Sequence, residues 1–73
     1  MQTVFKRHQL VKLLADPREE DIELYEDDAK VKKGQIGKIN IVLPNGRYHV
    51  RIEDKKGNEL AYVAMDEDQL EAV

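Results

Sequence analysis

The chain has 73 residues, of which 41% are hydrophobic and 37% charged, and it contains no cysteine. This length excludes a two-domain protein, and the apolar content argues against a chain that is disordered throughout. Without cysteine there is no disulfide or thiolate metal site, so the hydrophobic core alone must stabilise the fold. We expect a single small domain at residues 9–73, preceded by an N-terminal extension at residues 1–8.

The net charge of −3 conceals a segregated pattern. Residues 1–28 carry four basic and eight acidic residues. Residues 29–58 carry eight basic and two acidic residues, and residues 59–73 carry five acidic residues and no Lys or Arg. In the folded protein, neighbouring segments of opposite sign would neutralise one another, whereas an unpaired basic middle would attract an anionic partner. The sequence leaves both interpretations open.

Targeting signals are not evident in the sequence. The apolar stretch from Leu10 to Ala15 contains Lys12 and is shorter than the roughly 7 to 15 residues of a signal-peptide core. No run approaches the roughly 18 apolar residues of a membrane span. We therefore expect a cytoplasmic protein with no membrane partner.

The stretch from Leu10 to Ala15 also predicts the first strand. A helical stripe of Val4, His8, Val11 and Leu14 is the alternative, but the stretch is short and Asp16-Pro17 ends it, which favours a strand.

Residues 16–33 are rich in carboxylates and have few apolar residues, which predicts a long loop. Loops of this length are uncommon in compact domains and are usually functional or disordered. The carboxylates lack the spacing and the glycine of a calcium-binding loop, so we expect no metal site here.

Two alternating segments around Asn45-Gly46 predict a β-hairpin with a two-residue type I′ turn. A three-residue loop would place Leu43 opposite Arg47 and mix the two faces, so we favour the two-residue register or its four-residue equivalent. The inward pairs predicted by this register are Leu43 with Tyr48, Ile41 with Val50 and Ile39 with Ile52.

A second hairpin is predicted at Lys55-Lys56-Gly57-Asn58, followed by a helical turn at residues 66–69 and a last short strand at residues 70–73. Whether its two-residue loop is Lys56-Gly57 or Gly57-Asn58, the register directs Ala61, Val63 and Met65 inward, and Leu60, Tyr62 and Ala64 outward. The predicted core comprises Ile39, Ile41, Leu43, Tyr48, Val50, Ile52, Ala61, Val63, Met65 and Leu70, together with residues of the first strand.

This order of elements predicts an all-β fold, a small five-stranded SH3-like barrel with a long acidic first loop and a short helical turn before the last strand. Closing a sheet into a barrel buries one face and removes exposed edges, which suits so short a chain.

Five motifs follow one another within residues 9–73. They are an apolar strand closed by Asp16-Pro17, Gly34-Gln35-Ile36-Gly37, Tyr48-His49-Val50-Arg51-Ile52, Asp54-Lys55-Lys56-Gly57 and Asp68-Gln69-Leu70. In this combination the chain resembles a family of short bacterial proteins known only as a domain of unknown function, and it departs from that family in its longer acidic loop and in residues 1–8. The resemblance implies a small β-barrel without an established activity. It also implies a role as a companion or antitoxin of a neighbouring toxin-like protein.

Groups for catalysis do not converge in this sequence. There is no serine or cysteine, Thr3 is the only aliphatic hydroxyl, and His8 and His49 lie far apart without metal-ligand spacing. We therefore expect no enzyme activity, no cofactor, no metal and no small-molecule substrate.

Two functions remain. The first is a protein-interaction module that binds another protein through its outer sheet face and acidic loop, although the same residues also suit ordinary strand and rim packing. Its predicted contact residues are Val42, His49, Arg51, Leu60, Tyr62, Glu23, Tyr25 and Glu26.

The alternative is a KOW-like module that binds RNA or another nucleic acid through the basic middle segment. Few aromatic residues are available to stack on bases, which weakens this interpretation. The candidate phosphate contacts are Lys30, Lys32, Lys33, Lys38, Arg47, Arg51, Lys55 and Lys56.

Overall fold

The computed structural model describes residues 5–73, in which six strands are joined by turns and three short 3₁₀ segments. The strands are β1 (Leu10–Leu13), β2 (Ile22–Leu24), β3 (Ile36–Val42), β4 (Arg47–Glu53), β5 (Glu59–Asp66) and β6 (Leu70–Ala72). The 3₁₀ segments are Glu19–Asp21, Pro44–Gly46 and Glu67–Gln69. No helix among the described residues is long and apolar enough to cross a membrane.

All six strands belong to one antiparallel sheet in the order β2-β5-β4-β3-β1-β6. The all-β prediction is therefore confirmed, but the closed five-stranded barrel is wrong, because the sheet is open and ends at β2 and β6. The additional strand is β2, which lies inside the predicted acidic loop. Its three residues, Ile22-Glu23-Leu24, alternate correctly for a strand, but the carboxylates on both sides obscure so short a pattern.

The core lies on one face of this sheet. Since no helix of the described chain covers that face and several of its residues have no exposed surface, the sheet must curl around its own side chains. Eight of the ten named core residues are buried, the first strand contributes Val11 and Leu13, and the structure adds Phe5. Phe5 packs edge-on against Tyr48 with ring centroids 5.3 Å apart, so the segment before β1 contributes to the core.

The register of the first hairpin differs from the prediction. Asn45 and Gly46 both have positive φ, at 65° and 73°, as a type I′ turn requires, but Pro44 joins them in a three-residue loop closed by a hydrogen bond from Leu43 N–H to Arg47 O. A register shift between Ile39 and Ile41 compensates for the extra residue. The observed pairs are Lys38 with Arg51, Ile39 with Val50, Ile41 with His49 and Val42 with Tyr48.

Proline explains the three-residue loop, because Pro44 has no N–H group for the ladder and the strand must stop before it. The β-bulge at Asn40 keeps Ile39 in the core but reverses the faces of the residues that follow it. The prediction that Ile41 and Leu43 are core residues is therefore wrong, and the Ile41 side chain is 47% exposed.

The second hairpin confirms that Ala61, Val63 and Met65 point inward, opposite Ile52, Val50 and Tyr48 respectively. Neither predicted two-residue loop forms, because the turn has three residues, with Asp54 N–H bonded to Asn58 O and Gly57 at a φ of 86°. A second register shift, between Ile52 and Glu53, falls at Leu60, which packs against the core. The predicted outward orientation of Leu60 is therefore wrong.

The two glycines of the Gly34-x-x-Gly37 motif have different structural roles. Gly34 has a φ of 95°, a conformation that side chains disfavour, and it turns the chain into β3. Gly37 permits a close approach of β3 to β4, since a Cβ atom there would lie 2.5 Å from Val50 Cγ1 and 3.0 Å from the Arg51 carbonyl oxygen.

Candidate functional site

Three aromatic side chains form a continuous row on the outer face of the sheet, opposite to the core. At its centre, the Tyr62 ring stacks on the His49 imidazole, with centroids 4.8 Å apart and an interplanar angle of 8°. The Tyr25 ring packs edge-on against Tyr62, with centroids 5.3 Å apart. We call Tyr25, Tyr62 and His49 the aromatic row.

The sheet order places these residues side by side. Tyr62 lies on β5, between His49 on β4 and Glu23 on β2, and Glu23 is its direct cross-strand partner. Tyr25 follows β2, and its N–H donates a hydrogen bond of 2.9 Å to Leu60 O, which keeps the chain alongside β5. The row therefore depends on β2, the strand that sequence reasoning missed.

His49 is held from its other side by the bulge in β3. The Asn40 amide nitrogen lies 3.0 Å from His49 Nδ1, and if Asn40 donates this hydrogen bond, His49 Nδ1 is the acceptor and carries no proton. Both Asn40 and Ile41 lie opposite His49, since a bulge sets two residues against one. Ile41 thus extends the aromatic row with an exposed apolar side chain.

Arg51 lies beside the aromatic row, directly opposite Tyr62 on β5. Its Nε lies 2.7 Å from Glu53 Oε2 without the alignment of a hydrogen bond, and its Nη1 lies 3.6 Å from Glu59 Oε1. Its Nη2 donates to the Gly57 carbonyl at 3.2 Å. These contacts fix the guanidinium and neutralise much of its charge.

Burial and the nearby carboxylate of Glu59 raise the pKa of the Tyr62 hydroxyl, although the positive charge of Arg51 opposes this shift. Tyr62 therefore stays neutral at physiological pH. Tyr62 thus presents an uncharged aromatic surface between charged residues.

The predicted contact residues divide into two sets. The structure brings together Glu23, Tyr25, His49, Arg51 and Tyr62, and Glu26 adjoins them through a hydrogen bond from its N–H to Leu60 O at 3.3 Å. Val42 pairs with the buried Tyr48 and shares its side of the sheet, so its placement on the outer face is wrong, as it is for Leu60.

Ile41 is the neighbour that the sequence prediction missed. The signal in the sequence is Pro44, which excludes the two-residue loop and hence the register that turned Ile41 inward.

The basic middle segment is partly neutralised by the acidic segments on either side. Arg47 Nε donates to Asp66 Oδ1 at 2.9 Å, and its Nη2 lies 3.3 Å from Asp21 Oδ2. Burial lowers the pKa of the Arg47 guanidinium, but these two carboxylates outweigh it and the pKa rises. Arg47 thus connects the turns before β2 and β6.

Lys38 also has a carboxylate partner, Glu53, at 4.0 Å. With Arg47 and Arg51, three of the eight candidate phosphate contacts are therefore paired with carboxylates. The other five are lysines in the loops before β3 and between β4 and β5.

No three metal-ligating side chains converge anywhere in residues 5–73. His49, the only histidine of the sheet, has Asn40 and Tyr62 as its contacts on the outer face, and neither is a carboxylate that would orient it as a general base.

Comparison of the chain with protein-family models, with curated proteins and with solved structures finds no match. The resemblance to a bacterial family of unknown function therefore stays a prediction.

Proposed function

We propose that this chain is a non-enzymatic protein-interaction module that binds another protein through the aromatic row and Ile41. The observation that carries the proposal is the contiguity of these side chains on the solvent side of the sheet, where Tyr25 is 56% exposed. Tyrosine is enriched among the residues that dominate binding energy at protein interfaces. Mutual packing of the rings restricts their motion before binding, so less conformational entropy is lost on association.

Charge around the aromatic row favours a protein partner over nucleic acid. Glu23 and Glu26 border the row, and Arg51, its nearest cation, is engaged by Glu53 and Glu59. Phosphates brought to this face would meet carboxylates, whereas a partner with basic residues would find complementary charge.

The partner class that we propose is a basic protein whose activity the module restrains in the cytoplasm. The resemblance to a family with toxin-associated members supports this choice. The product of a neighbouring gene is accordingly the first partner to test.

The experiment compares the affinity of purified protein variants for that partner. Tyr62→Ala should weaken binding at least about tenfold, as expected for a central aromatic residue of an interface. Leu14→Ala is the matched control, because Leu14 is an exposed apolar residue just after β1, outside the aromatic row. Equal affinity of the parent and Tyr62→Ala, or equal losses in the two variants, would contradict the proposal.

Nucleic acid is tested in the same protein by salt titration. Real phosphate contacts make log affinity fall with log salt by about 0.7 to 0.9 per neutralised phosphate. We expect no binding of single-stranded RNA at about 50 mM salt. Tight binding with a steep slope would support the KOW-like alternative instead.

A further inference from the structure

β2 is the edge strand beside β5, and within residues 5–73 no other strand pairs with its outer side. Glu23 pairs with Tyr62, and the hydrogen bond from Tyr25 N–H to Leu60 O continues the same ladder. In an antiparallel pair, alternate residues bond to the neighbouring strand and the residues between them face away. The backbone groups of Ile22 and Leu24 therefore face away from β5.

Hydrogen bonding around β2 agrees with this alternation. Ile22 N–H is used by the preceding 3₁₀ segment, where it donates to Glu19 O. No turn, loop or side-chain hydrogen bond within residues 5–73 reaches the Leu24 N–H group. Leu24 thus offers both a donor and an acceptor to an added strand.

An apolar groove lies beside this edge. It has a volume of about 400 Å³ and is lined by Glu19, Ile22, Leu24, Ala29, Lys30 and Val31. Leu24 is 50% exposed, and it lies on the same side of the strand as its partner Ala61, whereas Glu23 lies on the outer side with Tyr62. An added strand would therefore meet apolar surface on one side and a carboxylate on the other.

The charge near the edge selects the partner. Residues 19–28 contain seven carboxylates and no Lys or Arg, and one of them, Asp21, is engaged by Arg47. Lys30 is the single cation among the residues that line the groove, so the carboxylates outnumber it. The opposite edge, β6, is also acidic, with Glu67, Asp68 and Glu71 in and before the strand. Edge-to-edge pairing between copies of this chain would bring like charges together, so self-association is disfavoured.

We infer that β2 accepts an extended basic segment of a partner protein as a seventh strand, with apolar side chains facing Leu24 and Lys or Arg side chains facing Glu23. Main-chain hydrogen bonds give such strand addition its affinity, and the alternate side chains give it specificity. This site shares Glu23 with the border of the aromatic row, but its hydrogen bonds come from the backbone of β2 and its apolar contacts from the groove, so it does not require Tyr25, Tyr62 or His49 to bind.

The test uses an end-capped peptide of alternating lysine and valine as the probe and NMR hydrogen exchange of the intact protein as the readout. Exchange of the Leu24 amide should slow at least about tenfold when the peptide is added, and added salt should reduce the effect. A peptide of alternating glutamate and valine should give no protection. Unchanged Leu24 exchange at millimolar lysine–valine peptide would overturn the inference.

Two proline variants provide a matched comparison. Leu24→Pro removes the open N–H group of β2. Ala72→Pro makes the same change on the opposite edge strand, β6. Val73 N–H bonds to Leu10 O there, so the backbone N–H of Ala72 faces away from β1. Only Leu24→Pro should abolish peptide binding, and equal losses would contradict the inference.

If Leu24→Pro does not fold, the exchange rate of the Leu24 amide in the parent protein, with and without the lysine–valine peptide, decides whether β2 binds the peptide.

Tyr62→Ala separates this site from the proposed function. It should weaken binding of the protein partner at the aromatic row while leaving the protection of Leu24 by the peptide unchanged. Loss of that protection in a folded Tyr62→Ala variant would contradict a separate site at β2.

Discussion

The His49 imidazole lies flat against the ring of Tyr62, 4.8 Å away across the boundary between β4 and β5. Asn40 holds the same imidazole from β3, and Tyr25 meets Tyr62 from beyond β2. The aromatic row and Asn40 thus draw on three consecutive strands, β3, β4 and β5, and on the residue that follows β2. A surface assembled this way keeps its shape only while the whole sheet is intact.

Arg47 is predicted to stabilise the fold by joining the turns before β2 and β6. Arg47→Ala removes its contacts with Asp21 and Asp66, so the urea midpoint should fall, and Arg47→Lys should restore only part of the loss because lysine lacks the planar fork. The difference in urea midpoint between the parent and Arg47→Ala should shrink in high salt, because salt screens the ion pairs. Arg18→Ala is the control, since Arg18 is exposed and lies 3.9 Å from the same Asp21 carboxylate. Equal midpoints for Arg47→Ala and Arg18→Ala would contradict this role.

Gly37→Ala should destabilise the protein by about 1 to 3 kcal/mol, the usual cost of overpacking a core. The added methyl group would lie 2.5 Å from Val50 Cγ1 and 3.0 Å from the Arg51 carbonyl, which is backbone and cannot rotate away. Urea unfolding measures the loss. Lys12→Ala, an exposed change on the neighbouring β1, should stay within about 0.5 kcal/mol. A Gly37→Ala variant as stable as this control would show that β3 and β4 leave more room at Gly37 than these distances allow.

Alkaline pH should weaken the fold through two tyrosines. Burial, aided by nearby carboxylates, raises the pKa of Tyr48 and Tyr62 above the usual 10.0, so the unfolded chain loses these protons first. The stabilisation that these two hydroxyl groups contribute should therefore be complete below pH 10. It should be lost as the pH rises through their folded-state pKa, so the free energy of unfolding falls. Urea unfolding from neutral pH to above pH 10 measures the slope.

Tyr48→Phe tests the origin of this slope. At neutral pH it should cost about 1 kcal/mol, because the Tyr48 hydroxyl donates to Glu67 Oε1 at 3.1 Å and accepts from Phe5 N–H. Above pH 10 its stability should fall less steeply than that of the parent. An unchanged slope in a variant that lacks both tyrosine hydroxyls, Tyr48→Phe with Tyr62→Phe, would refute the assignment.

Alternation made β4 and β5 predictable, because Tyr48, Val50 and Ile52 bury one face and so do Ala61, Val63 and Met65. A single buried face fixes the parity of a strand regardless of its neighbours. The same reasoning failed at the bulges of Asn40 and Leu60, where one extra residue reverses the parity and the cause lies in the adjoining turn.

β2 was beyond prediction for a different reason. Its three residues have too little local preference to form a strand alone, and they do so because Ile22, Glu23 and Leu24 pair with Val63, Tyr62 and Ala61 on β5. Such long-range pairing is not visible in the segment itself. The Tyr25–Tyr62 contact followed from that pairing, so sequence reasoning named both residues without placing them together.

The most direct test of the outer face as a protein-binding surface is site-specific photocrosslinking in the native cell, with a benzophenone side chain replacing Ile41 beside the aromatic row or Leu14 away from it. We predict that the Ile41 position crosslinks to one defined protein, that Tyr62→Ala in the same chain abolishes this product, and that the Leu14 position does not yield it. A product that forms equally from both positions, or that survives Tyr62→Ala in a folded protein, would contradict the assignment of this surface.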